Sequence, residues 1–432
     1  MAGIFSTAAY LHPAHSLEGK TGAGSVLPAI GVPRIAALDF VRGVALLGIL
    51  TINITGFWGP TLATFSPHWP RAEPGGDTWF LIAFVLFEGK MRALFTLLFG
   101  ASMVLFIAAA DQRGAWGPGV QARRLVWLAV IGYGHYALLW WGDILFAYAL
   151  CGLAALVMCR APARLLIALG LGLFMVSHAF DALGAVLGIA AEQAVLAGHA
   201  PAADRAEQAA MLARIAASIS DDRRVLLAPF GEAVRLRLTL APWLPLQTTV
   251  ATFTETFPLM LIGMGLHRTG LWRGEWSRRA LVWLAGSGIG AGGAMTLALA
   301  WWIDARDFAP RVMFGVMTTL SALPHLAMAL GYGAALMLAW PKLSSTAPAR
   351  LIAAAGQTAL TNYIGTTVAM SALFAGWGLG LGGWLGRGWL PLFIPLGWAA
   401  MLVWPQWWLA RHRHGPLEAV WRRLTWLGTR QS

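Results

Sequence analysis

The sequence predicts an all-α, polytopic membrane bundle of about ten transmembrane helices with both termini in the cytoplasm. Three observations predict it. The first is composition: 58% of the 432 residues are hydrophobic and only 12% charged, with a mean hydropathy of +0.64, whereas soluble domains carry about a quarter charged residues. The second is a series of apolar runs near the roughly 20 residues needed to cross the hydrocarbon. The third is charge asymmetry. With a cytoplasmic N-terminus, the inside segments carry eighteen Lys and Arg and the short outside connections four, Arg71, Arg306, Arg311 and Arg387. Basic residues are retained on the cytoplasmic side, so the net charge of +12 is read as topology and not as nucleic-acid binding.

Residues 1–33 mix Gly, Pro, Ser and His without periodicity and lack the charged-then-apolar order of a cleavable signal, so they predict a flexible tail. Apolar spans follow at about 36–56, 79–109, 123–140, 143–160 and 164–190, making an N-terminal transmembrane half over 34–190. The second is too long for one straight crossing, and its knot Glu88-Gly89-Lys90-Met91-Arg92 marks where an interfacial lead-in turns into the span. Residues 191–246 form the one long outside connection, with six more arginines, which long translocated loops tolerate. Its Ala-rich first half and the stretch VRLRLTLAPWLP predict one or two short helices, the latter suited to the membrane surface. Further spans at about 247–267, 279–303, 312–340, 350–373 and 388–410 give a C-terminal half over 247–412, and 413–432 is a cytoplasmic tail. Many of the 23 tryptophans sit beside the ends of these runs, as amphipathic rings do at the headgroup level. Cys151 and Cys159 fall within one apolar run, so no disulfide framework is implied.

Polar groups at membrane depth are costly and therefore informative. Asp39 and Arg42 are three apart on the first span and can pair with each other. Arg42 and Asn53, eleven apart, share a stripe that should face protein. Glu88, Lys90 and Arg92 read either as an interfacial cluster that snorkels or as an anion-handling site.

His135 lies about five residues before the Trp-Trp-Gly break that precedes Asp143. At 1.5 Å per residue this is about 7–8 Å from the outer end. Asp143 after Gly142 can cap free backbone N–H groups, and an imidazole near a carboxylate is also how a general base is held in one tautomer. Glu255 with Pro258, Pro324 with His325, and Gln357 with Thr361-Asn362-Tyr363 put further polar groups or helix breaks at depth. Such breaks persist only where protein or a water-filled hollow satisfies them, so a polar cavity in the bundle is expected. No phosphate loop, zinc-spaced His/Cys cluster or nucleophile elbow occurs, so no metal is expected.

Six segments carry a resemblance: RIAALDFVRGVALLGILTINITGF (34–57), FEGKMRALFTLLFGASMVLF (87–106), RRL…GYGHYALLWWGDILFAYALCGL (123–153), LIGMGLHRTGLW (261–272), GQTALTNYIGTT (356–367) and GPLEAVWRRLTW (415–426). In this order they resemble the landmarks of the YeiB-like family, multi-pass proteins of the bacterial inner (plasma) membrane whose C-terminal half is a domain of unknown function, number 418. The family pattern usually carries a basic residue where this chain has Gln357.

The LDxxRG opening of the family is similar to that of membrane acyltransferases of the heparan glucosaminide acetyltransferase type. That resemblance implies acyl transfer from cytoplasmic acyl-CoA to a small-molecule or glycan acceptor on the far side, with Asp39, Arg42 and His135 in the reaction centre. The full candidate set is His135 and Asp143 as catalytic groups, with Asp39, Arg42, Asn53, Glu88, Arg92, Gln357 and Asn362 toward substrate or cofactor. The rival expectations are a transporter or flippase, whose buried charges would line a path, and a non-catalytic scaffold or sensor using 191–246 as partner surface. Membrane lipids are the expected surroundings, nucleic acid is excluded as a partner, and a homo-oligomer is left open.

Overall fold

The structure, a computed structural model, describes residues 36–427. The expected N-terminal tail lies outside the described residues. The described residues contain sixteen α-helices and no strand. The first half holds α1 (Ala36–Trp58), α2 (Gly76–Leu86), α3 (Lys90–Asp111), α4 (Gly117–Leu138), α5 (Leu145–Ala155) and α6 (Ala163–Leu196). The connection holds α7 (Ala202–Leu227) and α8 (Phe230–Leu240). The second half holds α9 (Leu244–Arg268), α10 (Arg278–Asp304), α11 (Pro310–Gly315), α12 (Ala322–Leu343), α13 (Ala347–Gln357), α14 (Ala359–Phe374), α15 (Phe393–Leu409) and α16 (Pro416–Trp426).

Seven stretches among the described residues are long and apolar enough to cross a membrane: α1, α2 with α3, α6, α9, α10, α12, and Arg387–Leu409. The other three expected spans fold as α4, as the short α5, and as α13 and α14 divided at Thr358. The polar knot at 88–92 is a break, because Gly89 takes φ +69 between α2 and α3. The expectation for 191–246 needs correction in length. α7 alone runs 26 residues, since an Ala-rich stretch with few β-branched residues loses little entropy as one continuous helix.

Burial sorts the helices into layers. Two thirds of the apolar windows of α1 and α9 are buried, 67% each, against 22% for α6 and α10, so α1 and α9 are central and α6 and α10 present wide apolar faces outward. The centre is tight because small residues let backbones approach. A Cβ on Gly43 or Gly356 would fall 2.0 Å from the Ile352 carbonyl or 1.9 Å from that of Asp39. α1 and α13 are thus in backbone contact, the packing that small residues allow between membrane helices. On α3 and α9, Gly100 and Gly263 abut the carbonyls of Met260 and Leu97 in the same way.

A buried dipole network and a buried charge cluster

α4 ends at Leu138 and α5 begins at Leu145, and the intervening turn folds Asp143 back onto His135. The Nδ1 atom of His135 lies 2.8 Å from Asp143 Oδ2, and the other carboxylate oxygen of Asp143 accepts the Phe146 backbone N–H at 2.8 Å. Asp143 therefore caps α5 and holds the imidazole with the same carboxylate. On the far side of the ring, His135 Nε2 is 3.0 Å from Thr367 Oγ1, and that hydroxyl also lies 3.1 Å from the Tyr363 carbonyl, so its single proton is shared between the two acceptors. Tyr363 lies against the imidazole, ring centroids 5.1 Å apart, and its hydroxyl donates to Gly142 O at 3.0 Å. His135 is 3% exposed and Asp143 5%. With Asp143 ionised, the short Nδ1 contact requires the proton on Nδ1 and leaves the Nε2 lone pair toward Thr367.

The second centre is built around the break at Gly89. Arg92 pairs with Glu255 of α9 at 2.8 Å. Lys90 is wholly buried and donates to the Phe84 carbonyl, so it does not snorkel. Gly89 meets His325 so closely that a Cβ there would fall 1.9 Å from Nδ1 of the ring. His325 itself is 3% exposed, and its Nε2 has no hydrogen-bond partner. A glycine with positive φ is what lets α2 turn into α3 against an imidazole.

Glu88 and Glu255 each reach a hollow. Glu88 lines a small cavity of about 20 Å3 with Thr51, Thr55 and Arg387. Glu255 lines a larger one of about 510 Å3, bounded by α6, α7, α9, α11 and the π-helical turn Val316–Leu320. The expected polar cavity is therefore present, on the Arg92 side.

The remaining candidates lie elsewhere. Arg42 donates to Asp39 at 2.8 Å and to Ser102 Oγ at 2.7 Å, the i,i+3 pair expected of α1. Asn53 is half-buried on α1 and lines neither cavity. Gln357 donates to the Arg413 carbonyl at 3.1 Å. The Asn362 amide donates to Ala355 O and Met401 O at 3.1 and 3.2 Å and accepts from Trp404 Nε1 at 2.7 Å, tying α14 to α13 and α15. The structure thus brings His135 to Asp143, and Arg92 to the surroundings of Glu88, but it places Arg42 with neither centre.

Three contributors escaped the sequence reading. Thr367 is one hydroxyl among many in a membrane chain, and its one hint was its place at the end of GQTALTNYIGTT. Arg311 was counted only for topology. Glu418 accepts the N–H groups of Leu360 and Thr361 at 2.8 and 3.1 Å, capping α14 from the C-terminal segment, and its one hint was its place in GPLE. Among the described residues no three His, Cys, Asp or Glu side chains gather as a metal site.

Comparison with known proteins places these features in a lineage. Residues 266–428 match the family model described as Protein of unknown function (DUF418). Over 402 residues the chain is 31% identical to the uncharacterized protein YeiB of Escherichia coli (strain K12), covering 91% of this chain and 96% of that one. It is 27% identical over 431 residues to the uncharacterized protein YxaH of Bacillus subtilis (strain 168), covering 93% and 97%. No solved structure matches.

Proposed function

The chain belongs to the YeiB-like family, and on that premise we propose that it is a membrane-embedded acyltransferase in which His135 is the general base. One observation carries the reading: a buried imidazole is fixed between a carboxylate on Nδ1 and a hydroxyl on Nε2. The Thr367 hydroxyl marks the position that an acceptor hydroxyl or amine would take. That acceptor would lose its proton to Nε2 as it attacks the thioester carbon of acyl-CoA, the thiolate leaving and the imidazolium being stabilised by Asp143. In the expected topology Arg42 lies toward the cytoplasmic end, where it would meet the phosphates of the donor, and Arg92 lies toward the acceptor side.

Labelled acyl-CoA supplied to membranes containing the protein tests this. His135→Ala is expected to lower label incorporation by about 10²–10⁴-fold, the range of general-base catalysis, and Asp143→Asn to lower it as well by spoiling the tautomer. Incorporation by His135→Ala equal to that of the native chain removes the proposal.

A second reading, transport of a small or lipid-linked solute, is favoured by a different observation: Arg92 and Glu255 pair beside a cavity of about 510 Å3 next to a broken helix. Uptake into proteoliposomes without acyl-CoA would select it.

A further inference from the structure

We infer that the cavity between α6, α9 and α11 binds a zwitterionic aminophosphate headgroup, presented by an amphiphile from the surrounding membrane. The hollow of about 510 Å3 is within the range of small-ligand sites. Its charged lining is Asp181, Glu255 and Arg311, with His178 beside them. Glu255 is matched by Arg92 at 2.8 Å, and Arg311 by Glu207 at 2.6 Å. Asp181 makes no hydrogen bond or ion pair with another described residue, so it supplies the unmatched negative charge and fits an ammonium group.

The opposite requirement is met by Arg311, on the α11 wall of the same cavity. Arg311 spends one terminal nitrogen on Glu207. Its other, Nη1, stands beside Gly188, where a Cβ would come within 3.1 Å of it, and this nitrogen is the donor for a phosphate. The π-helical turn brings Thr318 and Thr319 onto the same wall, their hydroxyls 3.2 Å apart. Single π-turns inside helices recur at ligand sites.

The rim argues for an amphiphile. Phe180 lines the cavity and is 77% exposed, and Val176 and Leu183, one turn either side on α6, are 72% and 60% exposed. A polar hollow whose edge is an outward apolar helix face suits a molecule with a charged head and an apolar tail.

Native mass spectrometry of the full chain in detergent tests the site, with phosphatidylethanolamine, phosphatidylglycerol and free phosphoethanolamine as probes. Phosphatidylethanolamine is expected to be retained over phosphatidylglycerol. Asp181→Asn and Arg311→Gln are each expected to weaken that retention about tenfold, the value of one charge-assisted hydrogen bond. Asp181→Asn is isosteric at an exposed position, so it stays readable if Arg311→Gln, which also frees Glu207, unfolds the protein. Free phosphoethanolamine binding as tightly as the lipid, and sensitive to Asp181→Asn, supports the headgroup chemistry and overturns the membrane source. Retention of phosphatidylethanolamine by Asp181→Asn at the native level, or equal retention of phosphatidylglycerol, overturns the site.

Discussion

His135 and Thr367 stand 232 residues apart in the chain and 3.0 Å apart in the fold. That contact closes the imidazole between α4, α5 and α14 and places a hydroxyl on the nitrogen that is free to take a proton. Thr367→Val keeps the shape and removes the hydroxyl, leaving Nε2 without a partner in a buried place. A loss of about 1–3 kcal/mol of stability follows, read as a lower melting temperature in detergent. Thr367→Ser should restore most of it. Acyl incorporation should fall far less than in His135→Ala, because the proton acceptor remains.

Gly89 makes a separate prediction from backbone alone. Gly89→Ala puts a side chain at φ +69 and drives its Cβ to 1.9 Å from a buried imidazole nitrogen. The dihedral alone costs about 1–3 kcal/mol, and the clash with His325 adds to it. Gly134→Ala, where nothing lies within 4 Å of the new Cβ, is the comparison, and helix propensity favours it by up to about 1 kcal/mol. Melting temperatures of the two variants should move in opposite directions. Equal shifts would mean that Gly89 and His325 do not pack as described.

These two positions show what a sequence reveals and what it hides. The helical bundle is legible because lipid forces long apolar runs and forbids open backbone, so α1, α9 and α10 fall within about three residues of their expected bounds. His135 and Asp143 are legible as candidates because one tight turn and eight residues separate them, while their contact is given by the fold alone. Contacts made across the bundle carry no local signature. Nothing in the spacing links Thr367 to His135, Glu255 to Arg92, or Glu418 to the start of α14. Asn362 shows the converse. Its amide attracts notice at membrane depth, yet its hydrogen-bonding capacity is spent on α13 and α15.

Asp222 of α7 lies outside the spans and carries a pH signature. Burial pushes its carboxyl above the usual 3.8, opposed by the Thr61 N–H, which it accepts at 2.8 Å. An acid whose folded value is raised binds its proton more tightly when folded. Its contribution to stability is therefore intact below the usual value and is lost as pH rises through the raised one. Asp222→Asn keeps an oxygen for Thr61 and removes the charge. The melting temperature of the variant minus that of the native chain should grow as pH rises from about 4 to neutral and then level off. A difference that shrinks over that window would contradict the half-buried placement of Asp222 against Thr61.

The pair of Arg92 and Glu255 separates a structural ion pair from a working one. Removing one partner leaves the other charge largely desolvated, so Arg92→Met and Glu255→Gln should each destabilise the protein by about 1–3 kcal/mol. Arg92 keeps about a third of its side chain exposed, 32%, which holds the cost below that of a fully buried pair. The double variant removes both members of the pair together and should be more stable than the sum of the single losses implies, by about 0.5–3 kcal/mol of coupling. Function reads the same cycle differently. If the pair only braces α3 against α9, the double variant regains activity as it regains stability. If Glu255 works from the wall of the large cavity, where it meets solute or acceptor, the double variant regains stability and stays inactive. Incorporation and uptake measured on that one stable variant therefore decide whether the charges at Gly89 brace the bundle or serve its chemistry.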